Sequence, residues 1–296
     1  MPVYHFKRES KVYLVDELNN QYNIDISDIS FNQTFMEKSI ETKTIQSQEF
    51  FEDSIINKAN PATFSFTFPA LREDDFKVVY NKALDVGTFD LYIDTTNEVF
   101  KLENCVITNG TFIIEKLRPL SMAISGEASK LTTPGVLSGT PITRDSNRTY
   151  NRITEVSASI NGAPDLDFIN SIQIELLNRI KWNPYLTLQD LCDVTANDMV
   201  LYPVDFTVES RELSGNITCY LTDTNNSEAQ TWANDVAIFI AAGQDVSGTT
   251  YGFEFDMNNC FYKNLINTGD VYTTTYSWTL TENPTNLSDL LTYVTL

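Results

Sequence analysis

The chain contains two similar stretches of sequence, and this internal repeat constrains its fold more than any other feature. Residues 100–106 read Phe-Lys-Leu-Glu-Asn-Cys-Val, and residues 255–261 read Phe-Asp-Met-Asn-Asn-Cys-Phe. Each stretch follows a short apolar run and precedes a segment that alternates like a strand, and the two cysteines lie 260 − 105 = 155 positions apart. Solenoid repeats have periods of about 20–50 residues. The repeat therefore indicates two tandem copies of one β-rich domain.

The two copies are separated by a segment that has the composition of a linker. Residues 132–149 are rich in Thr, Ser, Gly and Pro and show no sustained hydrophobic periodicity, which is typical of domain boundaries. A length of 296 residues also suits about two domains. We predict a first domain over 1–131, a linker over 132–149 and a second domain over 150–296.

In the first copy, alternation of apolar and polar residues predicts a series of strands. The predicted strands cover 11–15, 22–27, 29–35, 61–68, 89–94, 99–108 and 111–129. Residues 73–84 are predicted as a helix, because acidic residues fill the first turn and Phe76, Val79, Tyr80 and Leu84 share one face. The polar stretch 41–60 is predicted as a long loop.

The second copy repeats this order of elements. Its predicted strands cover 153–160, 166–177, 206–208, 217–221, 236–241, 251–262 and 271–281. Residues 227–235 are predicted as a short helix with Ser227 as its N-cap and Trp232 in the core, and 182–202 as a second long loop. The expected fold is mainly β, with two tandem β-sandwich or barrel domains that each have one flanking helix and a long loop.

The composition excludes several classes of protein. The formal charge is −20 and the pI is about 4.3, so a surface that grips nucleic acid through its phosphates is not expected. No apolar run approaches the ~20 residues of a membrane-spanning helix, and the N-terminal residues lack the apolar core of a signal peptide. The four cysteines have no paired spacing, and Cys105 and Cys260 occupy equivalent positions, which favours small buried residues in a reducing cytoplasm.

The residues needed for common catalytic chemistry are missing from the sequence. His5 is the single histidine, so Ser-His-Asp and Cys-His nucleophile systems and histidine-based metal sites are not expected. The sequence has no phosphate-binding loop and no dinucleotide-binding glycine motif. With 40 Asp and Glu, close carboxylate pairs arise by abundance alone. We therefore predict a protein that is not an enzyme and that needs no cofactor or metal.

Several segments of the first copy together resemble tail tube proteins of tailed bacteriophages. The segments are Asn60-Pro-Ala-Thr-Phe-Ser-Phe-Thr-Phe, Phe89-Asp-Leu-Tyr-Ile-Asp, Lys101-Leu-Glu-Asn-Cys-Val-Ile-Thr-Asn and Pro119-Leu-Ser-Met-Ala-Ile-Ser-Gly-Glu-Ala-Ser. The resemblance is clearest over 11–131, whereas over 150–296 it lies in the order of elements more than in the letters. It implies two tandem tail-tube-like domains, a β-sandwich or barrel with one helix and a long loop in each.

The resemblance also implies a function in the virion. Tail tube domains usually form rings of six around a lumen that conducts DNA, so three chains with two copies each would form one pseudo-sixfold ring. The expected partners are further copies of the chain and other tail proteins, namely tip or baseplate, terminator, tape-measure and sheath proteins. DNA would pass without specific binding, and the chain would assemble in the bacterial cytoplasm without entering a membrane.

The resemblance further suggests where the functional residues lie. The segments 22–35 and 166–177 would lie near the lumen, with Asp25, Asp28 and Asp167 as candidate lining charges; ordinary solvent-facing strand positions explain these residues equally well. The two long loops would stack one ring on the next, through Phe50 and Phe51 in the first loop and Trp182 and Tyr185 in the second. For the Phe50-Phe51 pair, local packing is an equal alternative to contact with a partner.

Two other functions remain open from the sequence. A tail-tip or baseplate protein of the same fold would initiate the tube and would not repeat along it. A carbohydrate-binding or adhesin module would use the aromatic residues, Trp182, Trp232 and Trp278 among them, as a platform for a sugar.

Overall fold

The fold is mainly β, as the sequence predicts. The computed structural model describes residues 7–40, 53–95, 97–133, 135–143, 148–162, 165–183, 201–222, 232–282 and 286–295. The strands up to the linker are β1 (Lys11–Asp16), β2 (Asn20–Ile24), β3 (Asp28–Asn32), β4 (Phe35–Ile40), β5 (Asp53–Ala59), β6 (Ala62–Phe68), β7 (Phe89–Asp94), β8 (Val99–Glu115), β9 (Ser121–Ala128), β10 (Lys130–Thr132) and β11 (Thr140–Pro141). Those after it are β12 (Glu155–Ile160), β13 (Ile169–Asn183), β14 (Asp205–Tyr220), β15 (Trp232–Val246), β16 (Thr249–Asn267), β17 (Thr273–Leu280) and β18 (Leu291–Thr295). Helix α1 spans Glu73–Asp85, and 3-10 turns cover Lys7–Glu9 and Leu287–Leu290.

In the first half, the strands form two layers that share one long strand. The first part of β8 belongs to the layer β2-β1-β7-β8, and its last part belongs to the layer β3-β6-β9-β8. Phe64 on β6 contacts Phe89 on β7, with ring centroids 6.0 Å apart. Phe64, Phe66 and Phe68 alternate with exposed residues and are all at most 3% exposed, so the three rings lie on one buried face of β6.

The second half repeats this pairing order. Its layers are β12-β15-β16 and β13-β14-β17-β16. The strands β16, β15 and β12 of the second half occupy the positions of β8, β7 and β1 in the first half, respectively. In the same way, β17, β14 and β13 occupy the positions of β9, β6 and β3. Strand order is therefore the same in the two halves apart from β2, which has no counterpart among the described strands of the second half.

The same backbone irregularity marks the shared strand of each half. Asn104 and Asn259 have positive φ angles of 51° and 59°, a conformation that asparagine tolerates better than most residues. The next residue in each case is a fully buried cysteine, and the strand pairing shifts register at this point. The Cys105 and Cys260 thiols both lie against the carbonyl oxygen three residues earlier, at 3.4 and 3.8 Å. The repeated Asn-Cys sequence is thus a repeated β-bulge.

The two halves join edge to edge through β8 and β13. Residues 109–115 of β8 pair antiparallel with residues 171–177 of β13, so the layers β3-β6-β9-β8 and β13-β14-β17-β16 form one continuous sheet of eight strands. One buried apolar cluster contains residues of both halves. The predicted division at 132–149 remains a division of the sequence repeat, whereas the sheet and the core continue across it.

Helix α1 packs over this junction, and its residues explain its position. Three acidic residues occupy its first turn, and Val86 ends it in the left-handed conformation, with a bond of 3.0 Å from the Gly87 amide to the Lys82 carbonyl. The centroid of the Phe76 ring lies 5.2 Å from that of Phe112 in the first half and 5.1 Å from that of Phe253 in the second. The predicted helix over 73–84 is therefore confirmed, and its apolar face serves both halves.

The prediction of a helix at 227–235 is wrong for residues 232–235, the part of this segment that the structure describes. Residues 232–235 belong to β15, where Trp232 pairs with Lys263. Trp232 is 68% exposed and not in the core. Ser227 and the rest of this prediction lie outside the described residues. The expectation of one flanking helix in each half is therefore not met at 232–235.

Several predicted boundaries also differ from the observed strands. The predicted strands 99–108 and 111–129 are in fact β8, which continues through Glu115, and β9, which begins at Ser121. The predicted strands 206–208 and 217–221 belong to one strand, β14. Asn109-Gly110 in β8 and Gly215-Asn216 in β14 lie within these strands, and pairing with the neighbouring strands continues through both.

Candidate functional site: an assembly interface

The eight-stranded sheet ends in two strand edges that no described strand covers. At one end, β3 pairs with β6 alone. At the other end, β15 pairs with β16 only as far as Lys263, so residues 265–267 of β16 have no strand partner on that edge within the described chain. Uncovered edges present rows of backbone donors and acceptors to another strand. These two edges are the candidate site.

The two edges correspond to the strands that meet inside the chain. The cross-strand series Ser30-Ser65-Ser125-Asn109 in the first half matches Gln173-Asn216-Ser277-Lys263 in the second. Gln173 is paired with Ile113, four residues after Asn109. The equivalent partner of Ser30 is Asn267, four residues after Lys263. An antiparallel junction between β3 and β16 in this register would repeat the junction that β8 and β13 already make.

One face of the eight-stranded sheet carries mainly hydroxyl and amide side chains, and we call it the polar face. Its cross-strand rows are Asp28-Thr67-Ala123-Thr111-Glu175-Ser214-Thr279-Phe261, Ser121-Ile113-Gln173-Asn216-Ser277-Lys263, Ser30-Ser65-Ser125-Asn109-Leu177-Glu212 and Glu115-Ser171-Thr218-Thr275-Leu265. The acidic members of these rows are Asp28, Glu115, Glu175 and Glu212, and the basic member is Lys263. The same alternation also places Glu127 of β9 and Arg179 of β13 on this face. The face is thus weakly acidic and largely neutral.

The structure places one of the three candidate lining aspartates on the polar face. Asp28 begins β3 and forms an exposed ion pair with Lys7. The hydrogen bond from Lys7 holds the pKa of the Asp28 carboxyl below its usual value, so this side chain stays ionised at neutral pH. Its charge is offset by Lys7, and an exposed pair of this kind contributes little to stability.

The other two aspartates lie at the ends of strands. Asp25 lies between β2 and β3 and forms an ion pair with Arg72, with 2.8 Å between Oδ2 and Nε. Asp167 is exposed and precedes β13. The expected lining segments 22–35 and 166–177 therefore do supply strands of the polar face, but their hydroxyl and amide residues outnumber their acidic ones there.

The candidate stacking residues fall mostly outside the described chain, namely Phe50, Phe51 and Tyr185. Trp182 is described near the end of β13. Its Nε1 donates to Glu127 Oε2 at 2.7 Å, and its ring lies 5.4 Å from Phe206. Trp182 therefore bridges the two halves on the polar-face side, where Glu127 continues the alternation of β9.

The predicted long loops are partly strand. In the first half, residues 53–59 of the predicted loop 41–60 form β5, which pairs with β4. In the second half, Trp182 and Asn183 pair with Phe206 and Asp205 at the far ends of β13 and β14. Each half thus extends a two-stranded ribbon from its sheet, and the rest of each predicted loop, 41–52 and 184–200, lies outside the described residues.

An ion pair links the two halves beside helix α1. The Glu73 side chain is 5% exposed and accepts from Arg148 Nε at 2.5 Å, from Arg148 Nη2 at 2.8 Å and from Lys77 at 2.7 Å. The Arg148 guanidinium also lies 3.9 Å from the centre of the Tyr251 ring in the second half. This arrangement holds the end of the linker against both halves.

The described residues offer little to catalytic chemistry. A groove of about 760 Å³ lies where β8 meets the second half, and its charged lining residues are Lys116, Glu155, Asp165, Asp167 and Glu254. Burial raises the pKa of the Cys219 thiol to about 11 and that of Cys260 to about 12, so both thiols are protonated and unreactive at neutral pH. Within the described ranges, no group of three His, Cys, Asp or Glu side chains could hold a metal ion.

The tryptophans do not form a sugar-binding platform in the described structure. Trp278 is 2% exposed inside the second half, Trp182 is half-buried against Glu127, and Trp232 is exposed at the start of β15. A sugar stacks on an accessible aromatic face, and Trp278 presents none.

Sequence reasoning missed the two strand edges, because an edge is defined by which strands are absent beside it. The repeat itself was the signal in the sequence. When the sheet of one copy joins the sheet of the next copy edge to edge, the joined sheet still has one unpaired strand edge at each end.

Among the described residues, no helix is long and apolar enough to span a membrane.

Comparison with known proteins identifies no relative of this chain. A scan against protein-family models finds no family that matches the chain, and a search of curated proteins finds no match either.

Proposed function

We propose that the chain is a structural tail tube protein that assembles head to tail into rings, with three chains in a ring of six copies. The rings stack into a tube that conducts DNA, and the polar face lines the lumen. The resemblance of residues 60–129 to bacteriophage tail tube proteins motivates the identity of the assembly. The partners are therefore further copies of the chain and the other proteins of a virion tail.

The observation that carries the proposal is the junction inside the chain. Strand β13 of the second half pairs with β8 of the first half, and no described strand covers the corresponding edges of the equivalent strands β3 and β16. Repeating the same contact between chains uses both edges. A heterologous contact of this kind forms a closed ring when its rotation closes, and a closed ring leaves no sheet edge available for uncontrolled pairing.

The chemistry of the polar face supports a passage for DNA. Among the described residues of this face, the basic ones are Lys263 and Arg179, and they lie among rows of Ser, Thr and Asn. Proteins that hold DNA do so by neutralising phosphates with clustered Lys and Arg. A face that is neutral to weakly acidic would let a polyanion slide past without binding, which agrees with the formal charge of −20.

A charge placed at the proposed junction tests this function. We expect Ser30→Lys combined with Asn267→Lys to weaken ring formation, because the two lysines would lie directly opposite across each junction between chains. Cross-strand charge pairs are worth about 0.2–1 kcal/mol, so the dissociation constant should rise about fivefold per junction. Ser30→Lys combined with Asn267→Glu should restore assembly. Sedimentation and negative-stain electron microscopy measure ring and tube formation.

A matched variant controls for added charge on the same face. Ser65→Lys combined with Ser277→Lys places the same charges on strands β6 and β17, away from both edges, and should assemble like the unmodified chain at the edges. The unmodified ring should have a mass of about 100 kDa, three times 33.5 kDa. A ring of six chains, or equal assembly of the Lys-Lys and Lys-Glu variants, would reject the proposed junction.

A further inference from the structure

An amide interrupts the apolar inner face of β13 at the junction between the two halves. Ile172, Ile174 and Leu176 on this face are fully buried, and the next residue on the same face is Asn178, which is 2% exposed. Aliphatic side chains pack against most apolar surfaces of suitable size. The amide is therefore the side chain of this face that can distinguish one partner strand from another.

The Asn178 side chain bonds to two elements of the first half at once. Its Nδ2 donates to the Ala83 carbonyl of α1 at 2.8 Å and to the Ile107 carbonyl of β8 at 2.9 Å. In a continuing helix the Gly87 amide would bond to the Ala83 carbonyl, but it bonds to the Lys82 carbonyl instead. Asn178 thus satisfies a carbonyl that the end of α1 leaves open.

The other end of the same amide lowers stability. Among the described residues, the buried Asn178 Oδ1 has no hydrogen-bond partner, and a buried acceptor without a partner is costly. Turning the amide over would place this oxygen against two carbonyl oxygens, which only accept. A buried asparagine that costs stability can fix the choice of partner, as it does at the interface of coiled coils.

The counterpart of Ile107 in the second half is Tyr262. Each of these residues follows the repeated asparagine of its shared strand by three positions. In the first half, β7 pairs with β8 only as far as Cys105. The edge of β8 beside Ile107 is therefore open to the Asn178 amide.

On β16, neighbouring strands occupy both sides of Tyr262. Ala233 of β15 pairs with Tyr262 on one side, and Trp278 of β17 pairs with it on the other. The Tyr262 carbonyl therefore takes part in the strand ladder and is not placed to accept from a further side chain. If β13 paired with β16, the Asn178 amide would lose the bond that it makes to β8.

We propose that Asn178 is a specificity-determining residue that directs β13 to pair with the first half and not with another second half. The alternative contact, between β13 of one chain and β16 of another, would join second half to second half. Asn178 disfavours this contact, because its donors would be buried without the two carbonyls that they bond in the first half. The inference rests on the proposed assembly in one respect, since a ring of alternating halves requires that such contacts are rare.

Disulfide formation after refolding reports which strand pairs with β13. Ile113→Cys and Gln173→Cys face each other across the junction inside the chain, whereas Gln173→Cys and Asn267→Cys would face each other in the alternative contact. Within one chain, three strand spacings separate β13 from β16, about 14 Å, so the second pair can join only between chains. All variants carry Cys192→Ser and are oxidised after refolding, when the remaining cysteines are buried.

The full chain with Asn178 should form the disulfide between positions 113 and 173, and that between 173 and 267 should be rare. We expect Asn178→Leu to make the second disulfide about tenfold more abundant. Asn178→Ala, which removes the amide without adding volume, should have the same effect. Equal amounts of the second disulfide in all three chains would overturn the proposal.

A matched variant separates partner choice from a general loss of stability. Ile174→Val shortens a side chain on the same inner face and leaves the amide in place, so it weakens the junction without changing the preferred partner of β13. Its disulfide between positions 173 and 267 should stay as rare as in the chain with Asn178. A rise equal to that of Asn178→Leu would show that any weakening permits the contact and would reject the specific role of Asn178.

A separate cysteine pair distinguishes this inference from the proposed function. Ser30→Cys and Asn267→Cys join across the proposed head-to-tail junction, which involves neither β13 nor Asn178. Absence of this disulfide, together with the expected effect of Asn178→Leu, rejects the head-to-tail assembly and leaves the specificity of β13 standing. Presence of this disulfide without any effect of Asn178→Leu rejects the specificity and leaves the assembly standing.

Discussion

At the scale of single residues, both halves place an aromatic ring opposite a glycine at the same cross-strand position. The ring is on the earlier strand in the first half and on the later strand in the second half. Phe64 on β6 faces Gly126 on β9 in the first half, and Gly215 on β14 faces Trp278 on β17 in the second. A Cβ atom on Gly126 would lie 2.4 Å from the Phe64 ring, and one on Gly215 would lie 2.6 Å from the Trp278 ring. Each ring therefore fills the space that its glycine leaves open.

This exchange leads to a stability prediction. We expect Gly215→Ala to destabilise the chain by about 1–3 kcal/mol, because the added methyl group would lie 2.3 Å from the Gln173 carbonyl oxygen and 2.6 Å from the buried Trp278 ring and would displace both. Gly269→Ala is the control, since its Cβ would meet its nearest neighbour at an ordinary 3.6 Å. Chemical denaturation measures both variants, and a Gly215→Ala chain as stable as the control would contradict the packing described.

A second residue-scale prediction concerns Glu73 and pH. Burial alone would raise the pKa of Glu73, but the hydrogen bonds and charges of Lys77 and Arg148 outweigh it and hold the pKa below its ordinary value of 4.5. Because the folded pKa is the lower one, this stabilisation is fully present above about pH 4.5 and is lost as the pH falls through the folded pKa. We expect Glu73→Gln to lower the free energy of unfolding by about 2 kcal/mol at pH 7.

The pH dependence distinguishes this ion pair from general acid sensitivity. The difference in unfolding free energy between Glu73→Gln and the unmodified chain should shrink as the pH falls below 4.5. Asp256→Asn, at an exposed position of β16, should differ little from the unmodified chain at any pH. A constant difference for Glu73→Gln across this range would show that the charge of Glu73 does not stabilise the fold.

At the scale of elements, sequence reasoning succeeded where local and tertiary preferences agree. Residues 62–68 alternate strictly and lie between two strands, and helix α1 has acidic residues at its start and one apolar face. The helix expected at 227–235 failed at Trp232, because pairing with Lys263 extends β15 further than local preference indicates. The edges of β3 and β16 and the polar face depend on which strands become neighbours, and no local pattern contains that information.

Helix α1 is the element whose loss should affect both halves. We expect Phe76→Ala to destabilise the chain by about 3–5 kcal/mol, because Phe76 is fully buried between Phe112 and Phe253. Hydrogen exchange should show faster exchange in β8 and in β16 together. The control Leu18→Ala removes an exposed side chain, 82% exposed, and should leave exchange unchanged. Faster exchange confined to β8 would show that the helix supports the first half alone.

At the scale of the whole molecule, the two halves are repeats in sequence and parts of one folded unit in structure. The β8–β13 pairing and the shared apolar cluster cross the predicted boundary at 132–149, and Arg148 within that boundary pairs with Glu73. The sequence repeat predicted two copies with the same order of elements along the chain. It could not predict that the matching parts would merge, because the same strands could equally have formed two separate sandwiches.

The covalent connection across the β8–β13 junction has a consequence for how an assembly comes apart. This junction closes within one molecule, so dilution does not weaken it, whereas any contact between chains follows mass action. Two geometrically equivalent contacts would therefore differ in persistence only because a peptide linker spans one of them. On dilution, a ring built from such chains would release whole chains and never a single repeat. The contacts that open would be those between chains, and they would alternate around the ring with the contacts inside chains, which stay closed.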